Sequence, residues 1–232
     1  MSTDNAKMIA DAIEVWRQNE RLEKIERYKH LNRVARKGQI LFCGSSLMEQ
    51  FPVQELLIDL NTSMAIYNRG VGGFTTKELA EYLDTLVFDL EPSHIFINIG
   101  TNDLNAEDYH VQGLISRYED ILQRIMIRLP EAKIYVMAYY PCNWNIGIDD
   151  PDIYEHFHFR TNERITEANA AVRQLAEKLG VQFLELNNGI TDVEGNMKEE
   201  YTVEGIHMHG DGYLEILKQM MPILKEIAAE KE

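Results

Sequence analysis

The spacing of apolar and polar residues changes several times along the chain, and each change marks an element. Between residues 7 and 36, Ile9, Ile13, Trp16, Leu22, Ile25 and Tyr28 recur near helical spacing among charged positions, which predicts one long amphipathic helix. Short, continuous apolar runs follow. They cover residues 39–43 and end at Gly44, residues 64–67 and end at Asn68-Arg69-Gly70, and residues 94–99 and end at Gly100; two more cover 133–138 and 181–186. Runs of this length bounded by glycine or polar residues predict buried strands. Helical patterns separate them. One, over about 75–89, opens with Thr75 and Glu78 in capping-box spacing. The next, over 109–129, carries Leu114, Tyr118, Ile121, Leu122, Ile125 and Leu129 on one face. A third, over 160–179, stops at Gly180, and a fourth closes the chain over 212–229.

Strand and helix alternate from residue 39 onward, which predicts a mostly parallel sheet covered by helices on both faces, an α/β fold in three layers. In such sheets ligands bind beyond the carboxyl ends of the strands. The first three predicted strands end at Gly44-Ser45-Ser46, Gly70-Val71-Gly72-Gly73 and Gly100-Thr101-Asn102-Asp103, so three polar, glycine-containing loops are expected at one edge. The stretch from 141 to 159 lacks clear periodicity, and long loops in compact domains are often functional. Its Trp144, with Tyr139 and Tyr140 just before it, either lines a pocket after the fourth strand or anchors the loop.

A length of 232 residues suits one sizeable core. The formal net charge of −15 argues against nucleic acid as a partner and disfavours anionic membranes, and it also serves solubility. No apolar stretch approaches the length of a membrane span and the N-terminus carries no secretory pattern, so a cytoplasmic location without membrane insertion is expected. Cys43 and Cys142 make no disulfide or metal framework; Cys43 reads as strand packing.

Chemistry concentrates in the loops. Ser46 follows a strand and a glycine and can expose its hydroxyl at a helix start, although Ser45 and Ser46 would equally serve as helix caps. Glu204 precedes His207 by three residues in Glu204-Gly205-Ile206-His207, a spacing that lets a carboxylate orient an imidazole. Gly73 and Asn102 can donate N–H groups to a developing oxyanion; alternatively, Gly73 serves a positive φ and Asn102 a turn. His207 with His209, and His156 with His158, alternate as metal ligands can, but no cysteine or carboxylate completes a recognised ligand pattern, so no metal or cofactor is expected. Gly70-Val71-Gly72-Gly73 lacks the third glycine of a dinucleotide loop, having Thr75 there, and does not follow the first strand.

Taken in order, Gly44-Ser45-Ser46-Leu47, Asn68-Arg69-Gly70-Val71-Gly72-Gly73, Gly100-Thr101-Asn102-Asp103 and Glu204-Gly205-Ile206-His207 resemble the four blocks of the SGNH (GDSL-like) hydrolase superfamily over residues 39–215. Lys29-His30-Leu31-Asn32, Arg160-Thr161-Asn162-Glu163 and Lys198-Glu199-Glu200-Tyr201-Thr202 strengthen a likeness to bacterial acylhydrolases similar to platelet-activating-factor acetylhydrolase subunits. The resemblance implies a flavodoxin-like, five-stranded parallel sheet spanning residues 38–232. Residues 1–37 would form a helical extension packed on that domain or on a partner in a homodimer. It also implies a metal-independent serine esterase acting on a small-molecule ester, an acetyl ester among the candidates. Ser46 would be the nucleophile, His207 the base and Glu204 its acid, with the oxyanion held by Ser46, Gly73 and Asn102.

Two positions depart from the family pattern. Ser45 stands where the family usually has an aspartate that braces the nucleophile loop, so either different bracing or a more open pocket is expected. Glu204 replaces the usual triad aspartate, and its extra methylene shifts the carboxylate by on the order of 1.5 Å, a displacement that can cost about a hundredfold in rate unless the loop has adjusted. These departures motivate a competing reading, a weakened or inactive relative that binds a ligand or partner chain. A nucleotide-binding regulator on the same fold is a third reading, resting on fold analogy alone.

Overall fold

Successive side chains on a strand point to opposite faces, and here that alternation divides the core in two. The structure, a computed structural model, describes residues 3–62, 64–146, 153–154 and 157–230. Its sheet consists of β1 (Ile40–Gly44), β2 (Ile66–Gly70), β3 (His94–Asn98), β4 (Lys133–Met137) and β5 (Gln182–Leu184), all parallel, in the order β2-β1-β3-β4-β5. This is the flavodoxin-like order. Leu41, Cys43, Ile95, Ile97, Ile134 and Val136 face one layer, while Ile40, Phe42, Phe96, Tyr135 and Met137 face the other.

The first layer holds α1 (Thr3–Asn32), α4 (Thr76–Glu81), α5 (Leu83–Leu86), α6 (Val111–Arg128) and α7 (Asn162–Leu179). The second holds α2 (Ser46–Glu49), α3 (Val53–Asp59) and α8 (Gly210–Ala229). Phe96 lies at its centre, 4.5 Å from the Tyr135 ring and 5.4 Å from Phe42. Both cysteines are buried and unpaired; burial pushes the Cys43 thiol up to about 12 and the Cys142 thiol up to about 11, as inert packing residues require. No helix among the described residues is long and apolar enough to cross a membrane.

The expected capping box is present: Thr75 accepts from the Glu78 N–H, and the Glu78 carboxylate accepts from the Thr75 N–H at 2.8 Å. The helix it opens is shorter than its periodicity suggests. At Tyr82 the backbone leaves helical geometry (φ −112°, ψ 18°) and the ring stacks on Phe74 at 5.8 Å, so α4 gives way to α5 and a 3₁₀ turn at Phe88–Leu90. Tertiary docking of one aromatic ring overrides the local preference.

The long helix α1 also departs from its expected stripe. Only its C-terminal half docks: Ile25 is buried, the Tyr28 hydroxyl donates to Gly70 O at 2.8 Å, and Asn32 Nδ2 donates to Thr85 O at 2.7 Å. Ile9, Ile13, Trp16 and Leu22 are all exposed, while Arg17, Arg21 and Lys24 of the same helix line the cavity over the loop cluster.

Candidate active site

The carboxyl ends of β1, β2 and β3 bring the three glycine-containing loops together, and β1 and β3 flank the point where the strand order reverses, the usual ligand position in such sheets. Ser46 is the first residue of α2, immediately after β1, so its N–H has no acceptor within that helix. Its hydroxyl Oγ lies 2.9 Å from His207 Nε2, although 161 positions separate the two residues. On the other side of the ring, Glu204 Oε1 is hydrogen bonded to His207 Nδ1 and also accepts from the His207 backbone N–H at 3.2 Å.

A tight turn makes the second contact. Val203 N–H and the Thr202 hydroxyl both donate to the His207 carbonyl, at 2.9 and 3.1 Å, and the Gly205 N–H donates to Thr202 Oγ1 at 2.7 Å. Gly205 sits at φ +96°, and a Cβ there would stand 2.5 Å from the Asn143 carbonyl oxygen. Only glycine fits that turn. Burial pushes the Glu204 carboxyl upward, but hydrogen bonds from the His207 ring and backbone and the charges of His207 and Arg160 outweigh it, holding the group below its ordinary 4.5. Glu204 is therefore a carboxylate at neutral pH. Two aspartates that could substitute for it, Asp192 and Asp211, are occupied elsewhere: Asp192 accepts from the N–H groups of Glu194 and Asn196, and Asp211 from that of Gly212.

Gly73 and Asn102 stand on the same cavity wall as Ser46 and His207. Asn102 Nδ2 donates one hydrogen to Phe74 O at 2.9 Å, which leaves the amide's second hydrogen for another acceptor. Gly73 has φ +76°, and a Cβ there would lie 2.4 Å from Arg21 Nη2. The structure thus brings together all five predicted site positions: Ser46, Gly73, Asn102, Glu204 and His207.

Ser45 is fully buried, and among the described residues its hydroxyl makes no hydrogen bond. The bracing comes from elsewhere. Glu49, on α2, accepts from the Gly72 N–H at 2.5 Å and pairs with Lys24 of α1. Asp103 accepts from the Thr76 N–H at 2.9 Å and from Arg117 at 3.0 Å, holding the β3 loop to α4 and α6.

The cavity over these loops measures about 670 Å³. Tyr139 and Tyr140 take no part in it: both are buried, and the Tyr139 hydroxyl donates to Ile99 O at 2.7 Å. Trp144 donates from Nε1 to Arg160 O at 3.0 Å, which makes it a loop anchor as well. The described part of the 141–159 stretch contributes Ile153 and Phe157 to the cavity, and the Phe157 ring meets His207 edge-on at 6.3 Å. His156, one of the residues weighed as a metal ligand, lies outside the described residues. His209 caps α8, its N–H donating to Tyr201 O at 2.9 Å.

Sequence reasoning missed two contributors. Arg17, Arg21 and Lys24 of α1 form one wall of the cavity, with Arg21 paired to Glu78 and Lys24 to Glu49. Their spacing at positions 17, 21 and 24 is a helical stripe, but a charged stripe reads as a solvated face. Arg160, buried behind Asn102, was visible only as part of a family-like block.

A serine, histidine and acid in hydrogen-bonded series can serve acyl transfer, and comparison with known proteins shows which family the chain is in. A family model for GDSL-like lipases and acylhydrolases matches residues 48–214, beginning two positions beyond Ser46 and including Glu204 and His207. The chain belongs to the GDSL-like lipase/acylhydrolase family. That membership makes it a carboxylic ester hydrolase. A structure from Streptococcus pneumonia, named provisionally for platelet activating factor, is 31% identical with a TM-score of 0.83, covering 94% of this chain and 99% of that one. Platelet-activating factor acetylhydrolase IB subunit alpha2 of Rattus norvegicus is 26% identical over 83% of this GDSL-like chain and 80% of its own length. N-acylneuraminate cytidylyltransferase of Escherichia coli is 24% identical over 90% of this chain, which spans only 47% of that enzyme. An acetylxylan esterase from Geobacillus stearothermophilus, at 16% identity and a TM-score of 0.60 over 81% of this chain and 94% of its own, shares the fold.

Proposed function

We propose that this family member is a metal-independent serine esterase that cleaves a small carboxylic ester, such as an acetyl ester, through an acyl-enzyme. The observation that carries the reading is the unbroken series Ser46 Oγ, His207 Nε2, His207 Nδ1 and Glu204 Oε1, with a 2.9 Å first contact. Ser46 Oγ attacks the ester carbonyl while His207 Nε2 takes its proton. The carbonyl oxygen becomes an oxyanion held by the N–H groups of Ser46 and Gly73 and by Asn102 Nδ2. Collapse expels the alcohol, which receives the proton from His207 and leaves an acyl group on Ser46. Water then attacks the acyl carbonyl, His207 takes its proton, and the carboxylic acid departs with Ser46 restored. Glu204 holds the imidazole in the tautomer that leaves Nε2 free to accept and stabilises the imidazolium that forms.

The cavity supports a short acyl group and a polar alcohol. Of the described side chains that line it, Ile153 and Phe157 are apolar, whereas Glu14, Arg17, Glu20, Arg21, Lys24 and Glu49 are charged. Such a wall disfavours a long acyl chain, because burying methylenes against charged groups gains little of the usual ~0.8 kcal/mol per CH₂.

The test is a comparison of wild type and Ser46→Ala with p-nitrophenyl acetate, p-nitrophenyl octanoate and a fluorophosphonate probe. The expected result is acetate turnover exceeding octanoate turnover, with both turnover and covalent labelling lost in the variant. Equal turnover by the two proteins sinks the assignment. A folded wild type inert to the fluorophosphonate favours the binding-module reading instead.

A further inference from the structure

Behind the candidate oxyanion donors lies a buried charge, Arg160, which also favours the ionised form of Glu204. Arg160 is 2% exposed, and among the described residues no carboxylate forms an ion pair with it. Burial lowers its pKa to about 10, so it remains a cation at neutral pH. A buried guanidinium with no ion pair among the described residues is costly, by several kcal/mol even after relaxation. Its hydrogen bonds show where that cost is offset. Nη2 donates to Asn102 Oδ1 at 2.7 Å and Nε donates to Asn105 Oδ1 at 3.0 Å. The guanidinium carbon also lies 5.0 Å from the centre of the Phe157 ring, which in turn meets His207. The main chain of Arg160 is held as well, its N–H donating to Phe157 O at 2.7 Å and its carbonyl accepting from Trp144.

The contact with Asn102 has a directional consequence. An asparagine amide can present either its oxygen or its NH₂ to a given neighbour, and only the NH₂ end stabilises an oxyanion. Arginine has donors and no acceptor, so its partner must be the amide oxygen. With Oδ1 fixed on Arg160 and Nδ2 donating to Phe74 O at 2.9 Å, the amide cannot turn over. Its remaining N–H is left for another acceptor, and Asn102 lines the cavity together with Ser46 and Gly73. A charge-assisted bond at the oxygen also polarises the amide, which makes that N–H a stronger donor.

We propose that Arg160 is a positioning residue of the oxyanion site: it locks Asn102 in the orientation that points its N–H at the substrate and strengthens that N–H from behind. The inference rests on the esterase reading above. It predicts that Arg160 acts through Asn102, which a purely structural arginine would not do.

The test is a double-mutant cycle on the full chain with p-nitrophenyl acetate, using wild type, Arg160→Gln, Asn102→Ala and the double variant, with thermal melts to confirm folding. Arg160→Gln is expected to lower kcat by about 10- to 100-fold with KM changed by less than about threefold, since the loss concerns a transition-state donor. In the Asn102→Ala background the same change is expected to cost no more than about threefold. Arg160→Lys keeps the charge and loses the fork, and serves as the second variant if the glutamine protein does not fold; its loss is also expected to vanish without Asn102. Equal losses in both backgrounds, or a loss confined to KM, overturn the proposal. Turnover that survives Ser46→Ala sinks the esterase reading and this inference with it, whereas Ser46-dependent turnover with additive losses sinks the Arg160 assignment alone.

Discussion

Replacing Glu204 by aspartate, the acid usual at this position in the family, removes one methylene from the group that faces His207. In the structure the carboxylate reaches both the ring Nδ1 and the backbone N–H of His207, the latter at 3.2 Å. The turn that carries it cannot move forward to compensate. Gly205 is packed so closely that a Cβ would stand 2.5 Å from one carbonyl oxygen and 2.7 Å from another, and three hydrogen bonds from Val203, Thr202 and Gly205 tie the turn to itself. The shortened acid is therefore drawn back by about 1.5 Å, one C–C bond. That takes it from hydrogen-bonding length to outside the 2.7–3.2 Å range in which such bonds form. A charge-assisted hydrogen bond contributes about 1.5–3 kcal/mol. At about 1.4 kcal/mol per tenfold in rate, Glu204→Asp should lower kcat by about 10- to 150-fold. KM should hardly change, because the acid does not line the cavity. Glu204→Gln keeps the length and loses the charge, and should cost more, about 10³- to 10⁴-fold, by analogy with amide replacement of the acid in serine proteases. The assay is p-nitrophenyl acetate hydrolysis over a full substrate range, with thermal melts as the control for folding. An aspartate variant as fast as wild type, or faster, would refute the argument that this turn is built for glutamate.

Two further outcomes are expected. Gly73→Ala forces an alanine to φ +76° and places its Cβ 2.4 Å from Arg21 Nη2, so it should destabilise the protein by about 1–3 kcal/mol. A melt of Gly73→Ala combined with Arg21→Ala should recover only the steric part of that loss, while full recovery would show that the backbone conformation costs nothing. The second outcome concerns pH. Because the folded pKa of Glu204 lies below its ordinary 4.5, its contribution to stability is fully present above that value and is lost as pH falls through the folded pKa. The difference in Tm between wild type and Glu204→Gln should shrink as pH falls below about 4.5. A difference that widens in acid would contradict the assigned direction.

Much of the fold was legible because its signals are local. The apolar runs ending at Gly44, Gly70 and Gly100 gave the strands and their loop ends, and the Thr75 and Glu78 pair gave a helix start that the structure reproduces. The α5 break was not legible, since nothing around Tyr82 says that its ring will dock on Phe74. Within the candidate site, Glu204 and His207 could be paired from spacing alone because only Gly205 and Ile206 separate them. The pocket wall could not be read the same way. Tyr139 and Tyr140 had the chemistry of lining residues but are buried away from this cavity, and the half-buried Trp144 anchors its loop, while Arg17, Arg21 and Lys24 had the pattern of a solvated face and line the cavity.

The sequence by itself determined the α/β alternation, the polar loops at the strand ends and the acid–histidine turn, because strand period, helix period and glycine turns depend on neighbours a few bonds away. The tertiary structure decided which loops meet. It set Ser46 within 2.9 Å of a histidine 161 positions on, laid α1 across the mouth of the site, and buried Arg160 against an asparagine 58 positions away. Those contacts depend on strand order and on which face of each element is buried, and both are fixed only when the whole core packs.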